Sequence, residues 1–158
     1  MDSILLFLAK YVFGYILQDC FIIIGIFGFG KQKLNKEKFI LLNAILIPSS
    51  ILVRTLPINL GIHTLLNVAI ILYLIYHFCD FDLHKLIRST LLTTLFLLFF
   101  EVIFFVSLKL IFGDVRTNAI LNDPLQKAIS YIPCNLLFGI VLILHYRRML
   151  RRNYSEVM

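Results

Sequence analysis

The chain alternates long apolar blocks with short polar, mostly basic, connections, and the blocks lack the two-residue or 3.6-residue alternation of half-buried elements. The first runs from Ile4 to Phe29, broken only by Lys10 and the Gln18, Asp19 pair, and stops at "GKQKLNKEK". The second covers Phe39 to about Leu56, with Pro48, Ser49 and Ser50 in its middle. The third, Gly61 to Cys79, carries His63, Asn67 and His77 as its strongly polar members. The fourth, Leu86 to Phe112, is long enough to tilt and holds Glu101 and Lys109. The last, Ile129 to Leu144, extends to Tyr146 through His145 and has Pro133 in its first turns. At about 1.5 Å per residue each block can cross a hydrocarbon core of about 30 Å as a helix, which keeps every backbone amide satisfied within its own segment.

The pattern predicts an all-α polytopic transmembrane bundle of about five helices, with spans near 4–29, 39–56, 61–79, 86–112 and 129–146 and a basic tail over 147–158. In the first block the span is expected to begin near Tyr11, with Lys10 reaching the interface; the alternative is a surface-lying helix over Ile4 to Leu17. Composition strengthens the membrane reading: 60% of residues are apolar and the mean hydropathy is +0.92, against about 45–50% apolar usage in soluble domains.

Charge then orients the bundle, because cytoplasmic loops accumulate Lys and Arg. Lys31, Lys33, Lys36, Lys38, Lys85, Arg88, Arg147, Arg148, Arg151 and Arg152 fall on one side, ten of the fifteen cations. The other side, taking in Lys10, Arg54, Lys109, Arg116 and Lys127, holds five. The expectation is an N-terminus outside and a C-terminus in the cytoplasm of a bacterial cell membrane. No basic leader or small-residue cleavage site marks the first block as a cleavable signal peptide. The net charge of +6 is accounted for by loop and tail anchors meeting anionic membrane lipid, and no nucleic-acid partner is expected. Cys20, Cys79 and Cys134 lie in or beside three different blocks without a CxxC, and read as small apolar fillers.

Motifs for intramembrane proteolysis or a serine nucleophile are absent from the sequence. "HFCDFD" sets His77 and Asp82 at the H-x4-D spacing with which a carboxylate orients an imidazole base in some acyltransferases, but no substrate-binding motif accompanies it, and the end of a helix explains both residues. His63 and His77, fourteen apart, share a helix face in the manner of axial haem ligands; His145 is the one further histidine within a span end, so interfacial histidines are the simpler reading and neither metal nor cofactor is expected. His84 belongs to a loop. Glu101 is harder to dismiss, since a central carboxylate costs about 2.5–3.5 kcal/mol in a span and calls for a partner. By depth, Arg54, Lys109 and the i, i+4 pair His63 and Asn67 are the candidates. Arg54, His63, Asn67 and Glu101 therefore form the candidate site, an outer-half pocket between the second, third and fourth helices; a helix-packing pair of Glu101 with Arg54 or Lys109 is the alternative. Asp19 and Asn43 make a corresponding inner set, with Asn135 at intermediate depth, and such residues commonly hydrogen-bond between helices.

The order of these features, "VRTLPINLGIHTLL" between the second and third spans, "DLHKLIRS", "LLFFEVIFFV", then "PLQKAISYIPCNLLFGIVLIL" and a basic tail, resembles the N-terminal membrane-sensing region of bacterial sensor histidine kinases with a GHKL-type ATPase domain, kin of the autoinducing-peptide receptor of the accessory gene regulator system. The resemblance is carried by span order and by Arg54, Pro57, Gly61, His63, Glu101 and Pro133. It implies a two-component sensor responding to a hydrophobic or peptide signal. These 158 residues contain neither a phosphoacceptor helix nor an ATP-binding motif, so no catalytic residue carries over. The expectation is a non-enzymatic sensor or receptor module that dimerises or pairs with a separate histidine kinase. A small transporter or substrate-binding membrane subunit would use the same polar cluster, and an acyltransferase-like enzyme would use His77 and Asp82.

Overall fold

The computed structural model describes residues 14–55 and 60–155, apart from the side chains of 54, 55, 60, 61 and 153–155. The described chain is helical throughout, without a strand. Its helices are α1 (Leu17–Phe29), α2 (Lys36–Thr55), α3 (Leu60–Phe78), α4 (Leu83–Asn122) and α5 (Pro124–Ser155). The stretch 1–13, and with it the expected start of the first span near Tyr11, lies outside the described residues, as does the turn at 56–59 that contains Pro57.

α1 is apolar on all sides, and a helix of that kind belongs in the middle of a bundle. It does lie there, packed against α2, α4 and α5. Ile23, Ile26 and Phe27 enter one core with Leu42 and Leu46 of α2, Ile71, Leu74 and Ile75 of α3, and Leu86 of α4. Phe21 enters a second with Leu97 of α4 and Phe138 and Leu142 of α5. The helix backbones approach closely where side chains vanish: a Cβ on Gly25 would come within 2.8 Å of Thr93 Cγ2 and 2.9 Å of Leu142 Cδ1. α5 packs on α1 and α4 and on neither α2 nor α3 among the described residues.

Cationic connections gather at one end of the bundle. α1 stops at Gly30, whose amide bonds to Ile26 O at 2.8 Å, while Gln32 N reaches Phe27 O at 3.0 Å. The following loop is tied to the α3–α4 connection by Gln32 Nε2 donating to Asp80 O at 3.4 Å and by the exposed pair Lys38–Asp80 at 3.5 Å. It is tied to α5 by Leu34 N donating to Tyr146 Oη at 2.9 Å. The rings of Phe27 and Phe81 meet edge to face at 5.4 Å in the same layer.

Each predicted span contains a helix, but α4 and α5 run beyond their predicted limits. The stretch after Phe112, expected as a loop, is helical on both sides of a break at Gly113, whose φ of 73° and ψ of 167° suit a residue without Cβ. The break is bridged by Thr117 Oγ1 donating to Leu108 O at 3.1 Å and by an ion pair of Lys109 Nζ with Asp114 Oδ1 at 2.8 Å. α5 starts at Pro124, not Ile129. Asp123 Oδ1 accepts from Leu125 N at 2.9 Å and Gln126 N at 3.2 Å, and a proline in the first turn has no amide to waste. Its helix then continues unbroken through the basic tail.

α4 and α5 are long and apolar enough to cross a membrane. Only 11% of the most apolar window of α4 is buried, so most of its apolar side chains, Leu91, Leu95, Phe99 and Val102 among them, face outward.

Candidate functional site

The α2–α3 hairpin fixes where the predicted polar residues stand. Leu42 and Leu46 share one core with Ile71, Leu74 and Ile75 of α3. Toward the turn, Ser50 and Arg54 follow Leu46 by one and two helical turns, and Asn67 and His63 precede Ile71 by the same steps. The Arg54 side chain lies outside the described residues; its backbone is in the last turn of α2.

His63 and Asn67 are half-buried on one face of α3. His63 Nδ1 and Asn67 Oδ1 are both shielded and have no hydrogen-bond partner in the structure. Ser50 is 1% exposed, and its Oγ is in the same condition. Three shielded polar atoms thus lie in the half of the hairpin away from the cationic loops. Most buried polar atoms in proteins are paired, and each one left alone costs about 1–3 kcal/mol. Such atoms retain unused hydrogen-bonding capacity.

Glu101 is half-buried, one turn beyond the buried Leu97, and close enough to Tyr131 and Cys134 of α5 to act on both electrostatically. Its neighbours confirm the direction: Cys134 Sγ donates to Phe100 O at 3.5 Å, and the Phe104 and Tyr131 rings lie 4.8 Å apart. No hydrogen bond or ion pair joins Glu101 to His63 or Asn67 among the described residues. Among the described residues α2 and α4 make no helix–helix contact, while α3 and α4 do. The alternative partner Lys109 is engaged elsewhere, since the Gly113 break brings Asp114 back onto its ammonium, which also lies 5.2 Å from the centre of the Phe105 ring.

No family model, curated protein or solved structure matches this chain. The site therefore has to be interpreted from its own geometry.

The inner polar residues serve packing. Asn43 Nδ2 donates to Phe39 O at 2.8 Å, while its Oδ1 accepts from Cys20 Sγ at 3.1 Å, so the cysteine read as an apolar filler is a link from α1 to α2. Asn135 Nδ2 donates to Gly14 O at 3.3 Å, joining α5 to the entry of α1. Asp19 is 2% exposed in α1. The histidine candidates are also dispersed. His77 stacks on Tyr73 at 5.8 Å and His145 on Phe29 at 4.6 Å. Asp82 accepts from His84 N at 3.2 Å as the cap of α4, which accounts for its place in the H-x4-D spacing. Among the described residues no group of three or more His, Cys, Asp or Glu side chains is arranged to hold a metal.

Sequence reasoning missed Ser50 and Tyr146. One of two consecutive serines after a proline offers no signal, whereas Ser50 becomes conspicuous once its hydroxyl is seen to be buried and unpaired. Tyr146 reads as an aromatic at a span end, yet its hydroxyl is what joins the tail helix to the first loop.

Proposed function

We propose that the chain is a five-span membrane sensor module of a bacterial signal-transduction system, N-terminus outside and C-terminus in the cytoplasm, that binds its signal at the outer end of the α2–α3 hairpin. The observation that carries this reading is the set of Ser50 Oγ, Asn67 Oδ1 and His63 Nδ1, three shielded polar atoms without partners in the half of the hairpin where α2 ends with Arg54 and Thr55. The outward-facing apolar surface of α4 supports the membrane setting, because a core helix of a soluble protein would bury that window rather than 11% of it.

A hydrophobic or peptide signal with a carbonyl or carboxylate would meet His63 and Arg54, and a donor group would meet Asn67. A ligand shifts helix packing only by its difference in affinity between two arrangements. Here the set adjoins the shared core of α1, α2 and α3, and α1 in turn carries α5. A change in hairpin packing would pass through α1 to α5 and its basic tail, where a separate kinase or a second copy reads it. No catalytic residue and no cofactor enters this scheme.

The test is the transcriptional profile of cells carrying the wild-type chain, His63→Ala or Asn67→Ala at matched expression. Loss of the same set of signal-dependent transcripts in both variants is expected. An unchanged profile in both removes the hairpin site. Reporter fusions after Lys38, Asn59, Asp82 and Asn118 test the topology separately: Lys38 and Asp82 report from the cytoplasm, Asn59 and Asn118 from outside.

A further inference from the structure

The cation-rich end of α4 carries a feature the hairpin site does not use. An open groove of about 470 Å³ runs along the outward face of α4, lined by His84, Ile87, Arg88, Leu91, Leu92 and Leu95. Its order along the helix is amphipathic in one direction: the imidazole and guanidinium stand at the loop end, and four apolar side chains follow toward the middle. From His84 to Leu95 is about 16 Å of helix, half of a hydrocarbon core of about 30 Å and so the depth of one leaflet.

Charge decides what fits it. Arg88 and the adjacent Lys85 pair with no carboxylate among the described residues, and both are exposed. The nearest acids are occupied: Asp82 caps α4 through His84 N, and Asp80 pairs with Lys38. Leu91 and Leu95, by contrast, are 61% and 66% exposed, with no protein against them.

We propose that this groove is a binding site for one anionic phospholipid of the leaflet on the cationic side, its phosphate held by Arg88 and His84 and one acyl chain laid along Ile87, Leu91, Leu92 and Leu95. The site rests on the membrane reading above but not on the sensor reading. A guanidinium and an imidazole four residues apart on one helix can both donate to the same phosphate, and Lys85 adds positive field at the headgroup level. A zwitterionic lipid offers the same phosphate and fills the apolar part equally well, so the selectivity resides in the repulsion of its ammonium by Arg88 and Lys85.

The experiment is native mass spectrometry of the full chain released from nanodiscs of phosphatidylcholine containing phosphatidylglycerol. The expected result is one phosphatidylglycerol retained per chain in preference to phosphatidylcholine. In Arg88→Gln combined with His84→Gln, that retention falls by about fivefold or more, while Arg148→Gln on the tail leaves it unchanged. Equal retention in the double variant, or an equal loss in Arg148→Gln, overturns the site in favour of diffuse charge attraction. Disulfide-linked dimers of Leu95→Cys in native membranes, absent from the wild type, overturn it in favour of a second copy on this face. Release of the chain from membranes by alkaline wash overturns the membrane reading itself, and is distinguishable because it requires no lipid binding data.

Discussion

A single methyl group added at Gly139 tests whether the α1–α5 contact is the packing centre of the bundle. A Cβ at this position would overlap the ring of Phe21, and the ring has nowhere to turn because Phe138, Leu142 and Leu97 surround it in the same core. Insertion of extra atoms into a packed interior costs about 1–3 kcal/mol, and the upper part of that range applies where the obstruction is a confined aromatic ring rather than a flexible tip. For a chain of this length about 1 kcal/mol corresponds to about 2–4 °C in midpoint, so Gly139→Ala should lower the thermal unfolding midpoint of the detergent-solubilised protein by about 5–10 °C. Gly28→Ala is the matched control on the same interface. Its Cβ would meet His145 Cδ2 at 3.3 Å and Tyr146 Cα at 3.6 Å, contacts that a small ring movement relieves, and it should cost less than about 1 kcal/mol. Both variants are followed by intrinsic tyrosine fluorescence or by scanning aggregation at one heating rate. Equal midpoints for Gly139→Ala and wild type, or equal losses in the two variants, would refute the claim that helix approach at Phe21 limits stability.

Other substitutions probe the remaining features. Ser50→Ala deletes a shielded hydroxyl that has no partner, so stability should be unchanged or higher by up to about 1 kcal/mol; a loss larger than that would show a hydrogen bond at Ser50 and weaken the hairpin site. Tyr146→Phe removes the acceptor of Leu34 N and should cost about 1 kcal/mol, read as a lower midpoint together with faster amide exchange at the first loop; unaltered exchange would exclude this tie. Asp123→Ala removes the cap of α5 and should cost about 1 kcal/mol, whereas Asp123→Asn should keep most of it; equal effects would locate the stabilisation in charge rather than in capping.

Depth along each helix was readable from the sequence, and direction around the axis was not. The apolar blocks located all five helices because block length and the polar gaps survive any arrangement of neighbours. Glu101 shows where this stops: its level in α4 could be counted, but a segment such as "LLFFEVIFFV" is apolar on every side, and no periodicity says which face meets which helix. Only packing reveals that the carboxylate lies by Tyr131 and Cys134 of α5. His63 and Asn67 fared better, since their i, i+4 spacing defines a shared face without reference to any other helix. The start of α5 was within reach, as Asp123-Pro124 is a cap followed by a first-turn proline. The helical stretch beyond Gly113 was not, because a glycine followed by Asp114 and Arg116 at the end of an apolar block signals an end rather than a break that the helix resumes after.

Pro133 gives α5 a mechanical property that its uniform helicity conceals. A proline inside a helix removes one rung of the hydrogen-bond ladder, so the helix has a weak point in its N-terminal half and a longer arm beyond it. The arm from Cys134 to Ser155 is about 33 Å long at 1.5 Å per residue. A swing of about 10° at this point would carry its far end sideways by about 6 Å, more than the rise of a helical turn. The end so displaced is the one that carries Arg147, Arg148, Arg151 and Arg152.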